Sequence, residues 1–417
     1  MIIAFHRGRV LIVIMTDSRR EWPATLDVSA ILAEGWRPVP FRDFIVKIHS
    51  RCDLACDYCY MYEMADQSWR DRPRRMSIET AEQTAARIGE HAHSHGLTDL
   101  TLILHGGEPL LAGQELIWRL VTATRKASGP DVRVNVHVQT NAVGLTESYL
   151  RLFAGLGVRI GVSLDGTARS HDRHRRFASG RGSHAAVTAG LARMRQDEYR
   201  HLFSGLLCTI DLHNDPIETY EALLAFHPPR VDLLLPHGTW DAPPPGRTPD
   251  PGLAPYADWL IRVFDRWYRD PATDVRLFSE IMRLLIGRAS SGEMAGLAPA
   301  RMVVVETDGW VEQTDNLKAT YQGATATGLH VRDDPFDAAL LLPGFVARQI
   351  GTRGLSATCL TCPVHRVCGG GMYAHRYRSG SGFANPSVYC PDLIRLITHI
   401  RTVVRDDVDG RLRRTAP

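Results

Sequence analysis

An α/β fold is predicted for this chain: a partial barrel of six strand–helix units followed by a smaller, cysteine-rich C-terminal domain. Three observations predict it. Between about residues 44 and 235, short β-branched or apolar runs alternate with helical patterns, the signature of βα units forming a parallel sheet. A Pro/Gly-rich stretch, Asp241-Ala-Pro-Pro-Pro-Gly-Arg-Thr-Pro-Asp-Pro-Gly252, then ends the alternation. The eight cysteines fall into two groups, Cys52, Cys56 and Cys59 at one end and Cys359, Cys362, Cys368 and Cys390 at the other, with Cys208 alone between them.

In chain order the expected strands are residues 44–49, 100–104, 133–138, 159–163, 206–210 and 231–235. Six are too few for the usual eight-stranded barrel, so the barrel is expected to be open. The expected helices are 77–96, 148–155, 183–194 and 216–226; the first shows period-3.6 apolar positions and a terminal Gly. Two further helices, near 256–268 and 279–285, bridge to the Gly- and Cys-rich end. The expected division is an N-terminal segment 1–40, the barrel 41–241, linker and bridging helices 242–298, a cluster domain 299–400 and a tail 401–417. Functional residues of parallel αβ folds gather at the carboxyl ends of the strands.

At 417 residues, with formal charge +3, 44% hydrophobic and 23% charged, the chain is neither disordered nor fibrous. The apolar run 11–15 behind Arg7 and Arg9 is too short for a membrane span or a signal-peptide core, so a cytoplasmic protein without membrane attachment is expected. No basic stripe of the kind nucleic acid requires is present. Lysine occurs three times, at Lys47, Lys126 and Lys318, among 49 basic residues; this reads as genome composition and carries no function. The run Arg70-Asp-Arg-Pro-Arg-Arg75 reads as a solvated loop.

The cysteine spacing carries most of the chemistry, since clustered Cys in a cytosolic chain are metal ligands or catalytic groups more often than disulfides. His49-Ser-Arg-Cys52-Asp-Leu-Ala-Cys56-Asp-Tyr58-Cys59 leaves the carboxyl end of the first strand. Three thiolates can hold a [4Fe–4S] cube with one iron open, whereas a zinc site would close with His49 as fourth ligand. C-x3-C-x-aromatic-C on the first loop of such a barrel resembles the radical S-adenosylmethionine (SAM) superfamily.

That resemblance implies SAM chelated to the open iron, reductive cleavage to a 5′-deoxyadenosyl radical, Cys52, Cys56 and Cys59 as ligands, and Tyr58 and Tyr60 beside the cofactor. Gly106-Gly107-Glu108-Pro109 resembles the motif that meets the SAM amino group. Gln139, Asn141, Ser163 and Asp165 stand where the family contacts ribose and carboxylate, and Arg175 resembles its carboxylate-binding arginine. An exposed helical arginine is the alternative for Arg175.

Cys359-x2-Cys362-x5-Cys368 with Cys390 suits either a zinc ribbon or the auxiliary [4Fe–4S] cluster of the SPASM extension, which it resembles. Thr314 and Met372 stand where a second auxiliary cluster would need cysteines, so two [4Fe–4S] clusters are expected in all. Asp315 matches a carboxylate that takes a proton from substrate in some SPASM enzymes; a turn or helix cap with an ion pair is its alternative. Cys208 reads as a buried small hydrophobe.

Longer strings narrow the resemblance: Phe41-Arg-Asp-Phe44, Leu234-Leu-Pro-His237, Thr239-Trp-Asp241, Val305-Glu-Thr-Asp308 and Asn385-Pro-Ser-Val-Tyr-Cys390. Together they are similar to the FxsB-type cyclophane-forming peptide maturases. This implies a ribosomally made precursor peptide as substrate, a carbon–carbon cross-link from an aromatic ring to a β-carbon, and an electron donor such as flavodoxin or ferredoxin. Other SPASM maturations, giving a thioether, an ether cross-link or formylglycine, are the alternative. Only about 40 residues precede the first strand, so the precursor is expected to bind the core itself, as an added strand at a sheet edge.

Overall fold

Strand β1 (Ile2–His6) pairs antiparallel with β2 (Arg9–Val13) in a separate hairpin. The computed structural model describes residues 2–6, 9–13, 21–248, 250, 252–290 and 292–415; residues 14 and 15 of the apolar run at the start lie outside this set. The six expected strands are all present, as β3 (Asp43–His49), β4 (Asp99–Gly106), β5 (Arg133–Thr140), β6 (Val158–Ser163), β7 (Phe203–Thr209) and β8 (Arg230–Leu234). They lie side by side in chain order, each parallel to the next.

The sheet is longer than the sequence suggests. β9 (Asp274–Val275) joins parallel to β8, and β10 (Met302–Val305) joins parallel to β3 with Val304 opposite Ile45 and Val305 opposite Val46. β11 (Trp310–Glu312) and β12 (Ala326–His330) continue that edge antiparallel. The sheet therefore has ten strands, and the C-terminal part of the chain contributes three of them.

Local sequence explains the elements. Along β4, Leu100, Leu102 and Leu104 are buried and alternate with half-buried residues, the period-2 pattern of a strand packed on one face. The helix Ile78–Ser94 starts where the Ser77 hydroxyl accepts the Thr80 amide at 3.0 Å, and it buries Ala81, Ala85, Ile88 and Ala92 on one stripe. Pro216 occupies the first turn of Pro216–Leu224, with Asp215 capping the Ile217 and Glu218 amides.

Two helices of the series were not expected from sequence. Gln114–Ser128 opens after Gly113 without a capping side chain, and Ala168–His174 spans only seven residues. Helix Cys390–Thr415 runs through the expected start of a tail at 401. The Arg70–Arg75 run is not wholly solvated: Arg72 is 15% exposed and pairs with Asp308 at 2.5 Å and Glu312 at 2.9 Å. Among the described residues no helix is long and apolar enough to cross a membrane.

Candidate active site

The carboxyl ends of all six central strands open on one cavity of about 330 Å³. The loop after β3 brings Cys52, Cys56 and Cys59 to it; buried Leu54 anchors that loop by a bridge to Phe177, and Ala55 donates its amide to the Arg176 carbonyl at 2.7 Å. Gly106, Gly107 and Glu108 follow from β4, Gln139, Thr140 and Asn141 from β5, Ser163 from β6, Thr209 from β7 and Leu234–His237 from the end of β8. Thr314, Asp315, Asn316 and Met372 close the far side.

Both glycines are required by close backbone approach rather than by an ordinary turn. A Cβ on Gly106, whose φ is +135°, would lie 2.1 Å from the His49 carbonyl oxygen; one on Gly107 would lie 2.4 Å from that of Arg51. The Gly107 amide in turn donates to the His49 carbonyl at 2.8 Å, and the Glu108 amide to that of Arg51 at 3.0 Å. The glycine pair thus clamps the cysteine loop to β4. His49 turns Nδ1 toward its own loop, 2.9 Å from the Arg51 carbonyl oxygen.

Behind the clamp, Glu108 is 1% exposed and accepts from Leu110 N at 3.0 Å, Thr140 Oγ1 at 2.7 Å and Asn141 N at 2.8 Å. Burial nevertheless pushes its carboxyl up to about 7. Pro109 begins the 3₁₀ turn that Glu108 caps. Asn141 Nδ2 donates to Asp53 at 2.7 Å, and Gln139 Nε2 donates to Ser163 Oγ at 3.0 Å.

A second polar group surrounds Tyr58, whose hydroxyl donates to Asp165 Oδ2 and accepts from Arg175 Nη1 at 3.0 Å. Asp165 Oδ1 accepts the Thr209 amide at 3.0 Å. Arg175 is therefore not an exposed helical arginine: it lines the cavity, and its buried Nε has no hydrogen-bond partner among the described residues. Tyr60 packs edge-on against His237, ring centroids 4.7 Å apart.

Asp315 lies on the 3₁₀ turn Asp315–Ala319, with Oδ1 2.6 Å from Lys47 Nζ. The ion pair considered from sequence, with Lys318 one turn on, is replaced by this one; Lys318 instead meets Glu306 at 3.1 Å and Glu312 at 3.0 Å. Sequence reasoning passed over Lys47, although a lysine inside the apolar run Phe44-Ile-Val-Lys47-Ile, in a chain with three lysines, was a visible signal.

The second cysteine group also converges. Cys359, Cys362, Cys368 and Cys390 line a small pocket of about 70 Å³ beneath Gly370 and Ile394. Burial pushes the Cys368 thiol up to about 12 and the Cys390 thiol up to about 11; in the first group it pushes Cys59 up to about 11 and raises Cys52 and Cys56. Without a cation these thiols stay protonated, so both donor sets suit a positively charged metal core that displaces the protons. Cys208 lies in β7, 1% exposed.

Residues 46–225 match the radical SAM superfamily, so the chain carries a radical SAM domain; enzymes of that superfamily use SAM and a [4Fe–4S] cluster. A cysteine-type anaerobic sulfatase-maturating enzyme of Clostridium perfringens is 26% identical over 292 residues, covering 66% of this chain and 74% of that protein. A serine-type anaerobic sulfatase-maturating enzyme of Klebsiella pneumoniae is 24% identical over 84% of this chain and 86% of its own. A Synechocystis protein is 30% identical over 166 residues, a match spanning only 40% of its length. Two solved structures share the fold. One, anSMEcpe with bound AdoMet and the Cp18Cys peptide, has TM-score 0.74 at 20% identity, over 88% of this chain and 99% of that one. The other, Streptococcus suis SuiB bound to precursor peptide SuiA, has TM-score 0.58 at 14% identity, over 88% and 79%.

Proposed function

We propose that this enzyme closes a carbon–carbon cross-link, from an aromatic ring carbon to the β-carbon of a residue two positions on, in a ribosomally made precursor peptide. The observation that carries the reading is Asp315, which lines the same cavity as Cys52, Cys56 and Cys59 and whose Oδ2 has no hydrogen-bond partner among the described residues. When bound, SAM and its cluster supply a 5′-deoxyadenosyl radical that removes one hydrogen atom, and an auxiliary [4Fe–4S] cluster supplies the electron acceptor. Closing the ring then requires one more proton to leave the arene.

Each protein group has a part in this reading. Cys52, Cys56 and Cys59 ligate the first cluster, and Cys359, Cys362, Cys368 and Cys390 the auxiliary one. The Gly106–Gly107 backbone and Glu108 receive the SAM amino group. Gln139, Asn141, Ser163 and the Tyr58–Asp165–Arg175 triad line its sugar and carboxylate, the unpaired Arg175 Nε being suited to a carboxylate oxygen. Tyr60, Leu234, Leu235 and Pro236 give an apolar wall that excludes water from a reactive radical. Asp315 Oδ2 takes the proton. A precursor peptide, with a flavodoxin or ferredoxin as electron donor, completes the reaction in the cytoplasm.

A peptide with an aromatic-x-x sequence, incubated with the iron-loaded enzyme, SAM and reductant, should lose two hydrogens. Tandem fragmentation should then fail inside one three-residue segment. The likeness to sulfatase-maturating enzymes supports a second reading, oxidation of a Ser or Cys to formylglycine. A product that reacts with hydrazides through an aldehyde would establish that reading and reject the cross-link.

A further inference from the structure

Two of the three lysines in the chain, Lys47 and Lys318, are 0–1% exposed and share one buried ion network behind the cavity. Lys47 Nζ lies 2.6 Å from Asp315 Oδ1 and 2.6 Å from Glu306 Oε1. Glu306 also meets Lys318 at 3.1 Å, Lys318 meets Glu312 at 3.0 Å, and Glu312 meets Arg72 at 2.9 Å. His105 and Tyr60 also face Asp315. The His105 ring stands 3.9 Å from Oδ2, and burial keeps it below its ordinary value. Arg72 also holds Asp308, so within this network four carboxylates, Asp315, Glu306, Glu312 and Asp308, face three cations.

A buried carboxylate without a cation is driven to its neutral form and cannot accept a proton. A buried ammonium paired with one carboxylate alone opposes protonation of that carboxylate, because it would be left uncompensated. Lys47 meets neither difficulty, since it touches two carboxylates at the same distance. Burial alone would depress Lys47, but Asp315 and then Glu306 hold it well above its ordinary value.

We propose that Lys47 is a positioning residue that pins Asp315 by Oδ1 with Oδ2 toward the cavity, while Glu306 serves as its reserve counter-ion when Asp315 takes up a proton. The inference rests on the reading of Asp315 as proton acceptor. Once the β-carbon radical has bonded to the ring, the arene C–H bond breaks and its proton goes to Oδ2; the one electron left over would be taken by the auxiliary cluster that Cys359, Cys362, Cys368 and Cys390 would hold. Lys47 keeps its charge throughout, balanced by Glu306.

The test compares Lys47→Met, Glu306→Gln and Asp315→Asn in the iron-loaded protein with SAM, reductant and the aromatic-x-x peptide. The readings are cross-linked product per 5′-deoxyadenosine released and freeze-quenched electron paramagnetic resonance. Lys47→Met and Glu306→Gln should each lower the product ratio at least tenfold and let a substrate-centred radical accumulate. A structural defect alone would not produce that radical signal. If Lys47→Met fails to load iron, the isosteric Glu306→Gln decides: an unchanged ratio with no added radical overturns the proposal. An unchanged ratio in Asp315→Asn would instead overturn the reading of Asp315 itself.

Discussion

Glu108 combines burial with three hydrogen-bond donors, and burial dominates: its carboxyl lies at about 7 against an ordinary 4.5. An acid raised in this way favours the folded state when protonated, so its contribution is full below about 4.5 and is lost as the pH rises through about 7. The melting temperature of the cofactor-free protein should therefore carry a falling component across that window. Glu108→Gln should flatten it while costing about 1–3 kcal/mol, because an amide cannot accept from Leu110, Thr140 and Asn141 as the carboxylate does. At Asp315 the expected change is kinetic. Asp315→Asn should reduce cross-linked product per 5′-deoxyadenosine by about 100-fold, the lower end of what general acid–base catalysis contributes. Chromatography of both products in one reaction measures the ratio.

Elements are joined at their ends by single groups from distant segments. The helix Pro255–Arg269 has Ala254 at its N-cap and no capping side chain of its own; Asp392, in the first turn of the helix Cys390–Thr415, accepts Tyr256 N at 2.9 Å and Ala257 N at 3.0 Å in its place. Asp392→Ala should cost about 1–2 kcal/mol by thermal or chemical unfolding, as loss of a helix cap does. An unchanged unfolding midpoint would show that the cap contributes nothing. The loop after β3 depends similarly on Gly107. A methyl group there would sit 2.4 Å from the Arg51 carbonyl oxygen, so Gly107→Ala should abolish SAM binding measured by equilibrium dialysis. Retained affinity would mean that the cysteine loop can shift without losing its site.

Across the whole molecule, the two cysteine groups are expected to hold about four irons each, about eight per chain. Cys390→Ser should lower the iron content toward half and Cys59→Ser should do the same. Only the latter should abolish 5′-deoxyadenosine release. Iron far below these values, with zinc in its place, would point to the ribbon alternative. Much of this organisation is legible along the chain. Three thiols within eight residues, a glycine pair at a strand end and alternating apolar runs are local patterns, and local patterns encode loops and strand faces directly. Arg175 was ambiguous for the opposite reason, since nothing near it reveals that Tyr58, 117 positions earlier, accepts its Nη1 hydrogen bond. The same holds for Lys47, whose isolation in an apolar strand signals burial but not a partner. Its partner Glu306 lies 259 positions away and is brought beside it when β10 pairs in parallel with β3. Spacing in the chain therefore brings out the two cysteine groups and the class of chemistry. The charge balance around Asp315 arises from strand pairing between distant segments, because hydrogen-bonded register, not sequence separation, sets which buried charges meet.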